Sequence, residues 1–233
     1  MKKPSLRDRN DSILWARDVL QNKDKYLILD TETSGLDDDD EIIQMAIIDL
    51  DENVLYNTLI KPKAKKSISR DSTLIHGLTK KDLAEAPFFE TEVFKFIDII
   101  KDKTILMYNA EFDARLLRQT CYANNCEEFT LSCWCVMKEY SKFVGEWNDY
   151  HNDYKYQKLS GGDHTALGDC KATLRVLKKM AKSDLLESDT ENEALVTIEK
   201  TDTTDNEFSS KTIKGVLVLV LIIIIIAIFF MIS

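Results

Sequence analysis

The chain has 233 residues, 44% hydrophobic and 30% charged, with a formal net charge of −9, which is enough for one domain of ordinary size with attachments. Five cysteines, an odd number with no C-x-x-C pair, argue against a disulfide framework and for a reducing compartment. The region after residue 182 carries −6 of the charge, leaving −3 for residues 1–182, so a polyanionic ligand is not excluded although no large basic field draws one in.

Residues 1–23 hold one helical pattern: Ile13, Leu14, Ala16, Val19 and Leu20 predict a short helix within 5–22, with Asp11 or Ser12 available as its cap. Met1 to Asn10 has no apolar stretch resembling a secretory signal. The next stretch organises the chain. Tyr26-Leu27-Ile28-Leu29 predicts a buried strand over 25–30 that ends in Asp30-Thr31-Glu32. Side chains two apart on a strand share a face, so Asp30 and Glu32 project together, and a divalent cation is a natural answer to two carboxylates that close. Taken alone, the pair reads equally well as a solvated turn.

Asp37 to Glu41, five acids in a row, is expected to be a solvated turn. Residues 41–50 and 53–60 are apolar, β-branched runs separated by Asp51-Glu52, an antiparallel hairpin that extends the first strand into a three-stranded sheet. Residues 61–70 carry five basic residues in ten, a loop that either solvates or meets phosphates. A helical pattern through Phe94, Ile97, Ile99 and Ile100 precedes a short strand at 104–108, and Asn109 to Asp113 opens a helix with Leu116 and Leu117 on its apolar side. Strands alternating with helices after a hairpin predict an α/β domain with a mixed sheet over 24–182.

A last strand is expected within 129–133. The aromatic residues Trp134, Tyr140, Phe143, Trp147, Tyr150, Tyr154 and Tyr156 serve packing or stack on unpaired bases; packing is the simpler expectation. Cys133, Cys135 and His151 do not have the spacing of a common zinc site. His164 and Asp169 would diverge on a continuous helix, which places His164 on the Gly161-Gly162 loop or at the start of the final helix. Residues 183–212 have the acidic, aromatic-poor composition of a disordered linker. Residues 213–233 read as a transmembrane anchor: Val216 to Ile232 is uninterrupted by polar residues, about 25 Å of helix. Lys211 and Lys214 on its N-terminal side place the body of the protein in the cytosol, anchored to the membrane by its tail.

D-x-E at the end of the first strand, N-x-x-F-D at a strand-to-helix junction and H-x-x-x-x-D entering the last helix are each weak signals. In this order over residues 24–182, with the I-x-G-L-T segment at Ile75 to Thr79, they resemble the DEDD superfamily of DnaQ-like 3′ to 5′ exonucleases, in its histidine subtype. The resemblance implies a ribonuclease H-like fold in which Asp30, Glu32, Asp113 and Asp169 hold two Mg²⁺ ions, or Mn²⁺ in their place, with His164 as general base. It further implies that Thr33 and Leu36 contact the terminal nucleotide and that His76 lies near the cleft. The sequence departs from the family in Ser34, where a Thr is more usual, and in the short stretch from Leu159 to His164. The substrate expected is nucleic acid with a free 3′ end, single-stranded DNA first and RNA as a close second; the sequence does not separate the two, because discrimination turns on how the pocket treats the 2′-hydroxyl. A silent nucleic-acid-binding module is a third reading, one that gives no reason to keep four carboxylates and a histidine.

Overall fold

A computed structural model describes residues 5–63, 68–127 and 129–187; the acidic stretch from 188, the apolar tail at 213–233 and the middle of the basic loop lie outside the described residues. Among the described residues no helix is long and apolar enough to cross a membrane. The elements in chain order are α1 (Leu6–Gln21), β1 (Tyr26–Thr33), β2 (Ile42–Ile48), β3 (Val54–Leu59), α2 (Arg70–His76), α3 (Phe89–Ile100), β4 (Thr104–Met107), α4 (Ala110–Ala123), β5 (Cys133–Cys135), α5 (Val136–Val144), β6 (Trp147–Asn148), β7 (Asp153–Tyr154) and α6 (Ala166–Lys182).

The main sheet runs β3-β2-β1-β4-β5, and β6 and β7 form a separate small hairpin. β1, β2 and β3 pair antiparallel, whereas β4 and β5 lie parallel to β1, the mixed α/β sheet that the alternation of elements predicted. β1 is buried on both faces, which is why its first half is continuously apolar rather than alternating. Leu27 and Leu29 face a core built with Phe89, Phe96, Leu116 and Leu117 of α3 and α4. Ile28, one residue out of phase, packs with Ala16, Val136, Cys170, Leu174 and Leu177 of α1, α5 and α6 on the opposite face.

Four expectations need correction. β1 does not stop at Asp30 but continues through Thr33, because its pairing with β2 extends from Ile28↔Ile48 through Glu32↔Gln44 before the register shifts. The cap of α1 is Ser5, whose side chain accepts from Asp8 N, and not Asp11 or Ser12. Ser12 is instead buried within the helix and donates to Glu139 Oε2 at 3.2 Å. The last strand of the main sheet is Cys133–Cys135 rather than 129–133, since the parallel register sets Ile105 against Cys133 while Phe129 and Leu131 pack onto the α3–α4 core. The acidic turn is not simply solvated. Asp40 and Glu41 are buried: Asp40 accepts from Ser34 Oγ at 2.7 Å and Asp37 N at 2.8 Å, and Glu41 accepts from Asn124 Nδ2 at 3.0 Å.

Helix α1 crosses α5 and α6 and closes the C-terminal end of α6. Arg17 donates through Nε to the Ala181 carbonyl at 3.0 Å and through Nη2 to the Ser183 carbonyl at 2.8 Å, meeting carbonyls that a helix end leaves without partners.

Candidate metal centre and active site

The period of two along β1 divides its polar half between the two faces of the sheet. Asp30 and Glu32 share the face of Ile28, which α6 covers, and Asp169 comes to them from α6. The carboxylate oxygens of Asp30, Glu32 and Asp169 all lie within 4.8 Å of one another. Thr31 points to the other face and donates from Oγ1 to Asp113 Oδ1 at 2.7 Å, which fixes the α4 carboxylate beside the strand. Asp113 and Asp169 occupy the same place in their helices, the fourth residue after the N-cap positions Asn109 and Thr165. Sequence reasoning therefore named the four carboxylates, and the structure brings all four to the C-terminal half of β1.

Crowding them is electrostatically costly. Burial pushes the Asp30 carboxyl well above the usual carboxylate range, and the charges of Asp113, Asp169 and Glu32 push it further. Glu32 is pushed up to about 8, by burial first and then by Asp169, Asp113 and Asp163. Asp113 is pushed up to about 7 by burial, held back by the Thr31 hydroxyl and by backbone N–H groups. Among the described residues no lysine or arginine forms an ion pair with any of the four. An oxygen-only donor set with raised affinity for positive charge fits a divalent cation.

The loop that enters α6 is wrapped around Asp169. Its Oδ1 accepts from Asp163 N at 3.0 Å and His164 N at 3.2 Å, and a Cβ on Gly162 would stand 2.4 Å from the same oxygen, so only glycine allows this approach. Asp163 in turn takes the Thr165 hydroxyl at 2.7 Å, and Gln44 Oε1 accepts from Ala166 N at 3.1 Å, tying the helix start to β2. His164 sits just before the cap with φ 59, a left-handed conformation uncommon for a residue with a side chain. Its imidazole is exposed, and its backbone N–H is fixed to a member of the acidic cluster.

The three expected substrate residues differ in what they leave available. Leu36 is 71% exposed. Thr33 is buried and donates its hydroxyl to the Gly35 carbonyl at 2.9 Å. His76 Nδ1 accepts from Leu78 N at 3.0 Å, which leaves Nε2 as the donor to the Thr33 carbonyl at 3.2 Å. Burial lowers the pKa of His76, the bond to the Thr33 carbonyl offsets part of that and His164 adds to it, and the ring holds β1 to α2. Thr31, Gln44, Asp163 and Gln119 were missed. Gln119 donates to the carbonyls of Asp37 and Asp40 at 2.9 and 3.0 Å and so holds the turn that carries Leu36. Only the period-two position of Thr31 could have been read beforehand.

The family model described as RNase_T, Exonuclease, matches residues 27–177. This chain belongs to the RNase_T exonuclease family. The exonuclease is 31% identical over 177 residues to an uncharacterized exonuclease, CP81, of Escherichia phage 186, a match that covers 69% of this chain and 90% of the phage protein. It is 30% identical over 167 residues to the PolC-type DNA polymerase III of Thermotoga maritima, where 67% of this chain covers only 12% of the polymerase. Among solved structures, E. coli exonuclease I in complex with a dA16 oligonucleotide aligns with a TM-score of 0.53 at 21% identity, covering 67% of this chain and 41% of that one. The fold is thus that of a DnaQ-like exonuclease, and the exonuclease is a hydrolase acting on nucleic acids.

Proposed function

We propose that the chain is a 3′ to 5′ exonuclease that degrades single-stranded DNA to nucleoside 5′-monophosphates, with Asp30, Glu32, Asp113 and Asp169 holding two Mg²⁺ ions that Mn²⁺ can replace. The observation that carries this reading is the convergence of three carboxylates within 4.8 Å, with Asp113 fixed beside them by Thr31. Held by these residues, two cations would supply a nucleophile at neutral pH and stabilise charge on the leaving oxygen. The His164 imidazole takes the proton of the attacking water, held at the lip of the cluster by its own backbone bond to Asp169. Water oxygen bonds to phosphorus as the bond to the 3′ oxygen breaks and that oxygen takes a proton from solvent, so one product ends in a 3′-hydroxyl and the other is a 5′-monophosphate. Leu36, exposed on a turn anchored by Gln119, packs against the terminal base, and the Thr33 backbone, braced by His76, lines its seat.

Single-stranded DNA is favoured because E. coli exonuclease I, of the same fold, holds an oligonucleotide, and its zinc-bound form does as well. The apolar run Val216 to Ile232, preceded by Lys211 and Lys214, supports a single-pass membrane tether with the catalytic body on the cytosolic side. The test is a time course with Mg²⁺ on matched 5′-labelled DNA and RNA 12-mers. Stepwise shortening from the 3′ end of DNA is expected, abolished in Asp169→Ala and slowed roughly 10² to 10⁴-fold in His164→Ala. Faster trimming of RNA would move the substrate to that class, and cleavage of neither would end the reading.

A further inference from the structure

The aromatic segment 134–156 has no part in the chemistry above, and the structure divides it. Tyr140 and Phe143 stack on each other with ring centroids 5.9 Å apart, and Trp147 meets Tyr154 edge-on at 5.1 Å, so these four serve packing. Trp134 and Tyr156 are different. They are 47% and 56% exposed, and both line a cavity of about 360 Å³, within the range of small-ligand sites.

The cavity runs along the edge strand β5, all three of whose residues line it, and reaches toward the catalytic end of the sheet at Cys135. β4 and β5 run parallel to β1, so Met107 and Cys135 end on the side where Thr33 ends, and Cys135 lines the cavity wall. Lys138, also in the wall, is ion-paired with Glu111, two residues before Asp113 in the first turn of α4. Ligands of sheets with parallel strands gather at the carboxyl ends of those strands.

Its lining sets two exposed rings beside two lysines. The Trp134 indole is held in place by stacking on Trp15 at 5.8 Å and by donating from Nε1 to Glu139 Oε1 at 3.4 Å, so a base that packs there meets a platform already ordered. Lys142 Nζ is held by Glu139 Oε1 at 2.9 Å, and Lys138 by its pair with Glu111. An ammonium has three donors, so each lysine retains hydrogens for a phosphate. Glu139 and Asp153 in the same wall balance the two lysines, which makes stacking rather than a basic field the main attraction.

We propose that this cavity is a subsite for the unpaired nucleotides on the 5′ side of the scissile phosphate, with bases stacking on Tyr156 and Trp134 and a phosphate between them meeting Lys138 and Lys142. The subsite rests on the reading of the carboxylate cluster as an exonuclease centre for single strands. It gives that centre a grip on the body of the strand that a terminal nucleotide alone does not reach.

The test compares two substrates in the full chain: a 12-mer DNA single strand, and the p-nitrophenyl ester of thymidine 5′-monophosphate, which has no nucleotide beyond the scissile phosphate. Tyr156→Ala is expected to lower the ratio of kcat/KM for the 12-mer to that for the ester about tenfold, the usual worth of one stacked base. Tyr156→Phe is expected to keep the wild-type ratio, and Lys138→Met with Lys142→Met to lower it. A ratio within twofold of wild type in Tyr156→Ala, whether both rates hold or both fall, overturns the subsite. Wild-type protein that hydrolyses neither substrate sinks the exonuclease reading itself and the subsite with it.

Discussion

Asp30, Glu32 and Asp169 form one group of carboxylates whose oxygens approach within 4.8 Å, and Asp37, Asp39 and Asp40 form another. The two groups are built on opposite terms. In the turn, Asp40 is buried among donors: the Ser34 hydroxyl and the Asp37 N–H both point at it, while Asn124 and the backbone of Lys63 serve its neighbour Glu41. In the strand-and-helix group, burial and mutual repulsion dominate, and the donors that reach Asp113 and Asp169 offset only part of the charge. Density of acid is therefore no guide to a metal site. What distinguishes one is negative charge that the fold gathers without neutralising, so that a cation from solution completes it.

The sharpest way to break this comparison is Asp30→Asn. The substitution removes the carboxylate that the charges of Asp113, Asp169 and Glu32 all reach, so nuclease activity in Mg²⁺ is expected to fall below detection. Because it also relieves repulsion, the metal-free variant is expected to melt no lower than wild type, and higher where the other carboxyls are ionised. Gel assay and thermal melts in EDTA check both; a variant that keeps most of its activity would remove Asp30 from the metal site.

A smaller effect follows from pH. Glu32, at about 8, and Asp113, at about 7, bind protons more tightly in the folded chain than in the unfolded one. The folded state is then favoured at low pH, and that stabilisation is lost as pH rises from the ordinary carboxylate range, around 4, through about 8. In EDTA the melting temperature is expected to fall between pH 6 and pH 9, whereas saturating Mg²⁺ takes the place of the protons and flattens the dependence. An equal slope with and without Mg²⁺ would show that the raised groups are not the ligands.

The same contrast explains what the sequence made legible. The antiparallel half of the sheet could be read because β1, β2 and β3 are mostly apolar and β-branched, and its mixed character because the strands after them alternate with helices. Asp30 and Glu32 could be paired from the period of β1, whereas Asp113 and Asp169 joined them only through the family resemblance, and the structure then sets each in the first turn of its helix, α4 and α6. The acidic turn misled because two of its partners, Gln119 of α4 and Asn124 at that helix's C-cap, lie about eighty residues away and leave no local signature. The position of β5 was missed for a similar reason, since its register is set by β4 and not by its own three residues. Thr31 shows where the limit lies: its face follows from the period of the strand, but that Asp113 waits on that face depends on the path of α4.

The gentlest test lies on the other side of the comparison. Asp40→Ala leaves the metal ligands untouched but removes the acceptor for the Ser34 hydroxyl and the Asp37 N–H, and it opens a space beside Gly35, where a Cβ would lie 2.2 Å from Asp40 Oδ2. Donors left unpaired in a buried place cost about 1–3 kcal/mol, which is expected as a lower melting temperature in the presence and absence of Mg²⁺ alike. The turn that carries Leu36 would loosen while the carboxylates of β1, α4 and α6 keep their positions, so KM for a 12-mer is expected to rise a few-fold with kcat retained, the signature of a lost binding contact rather than lost chemistry. If kcat collapsed instead, or if Mg²⁺ rescued the stability of Asp40→Ala more than that of wild type, the acidic turn would belong to the metal centre and the division between the two groups would fail.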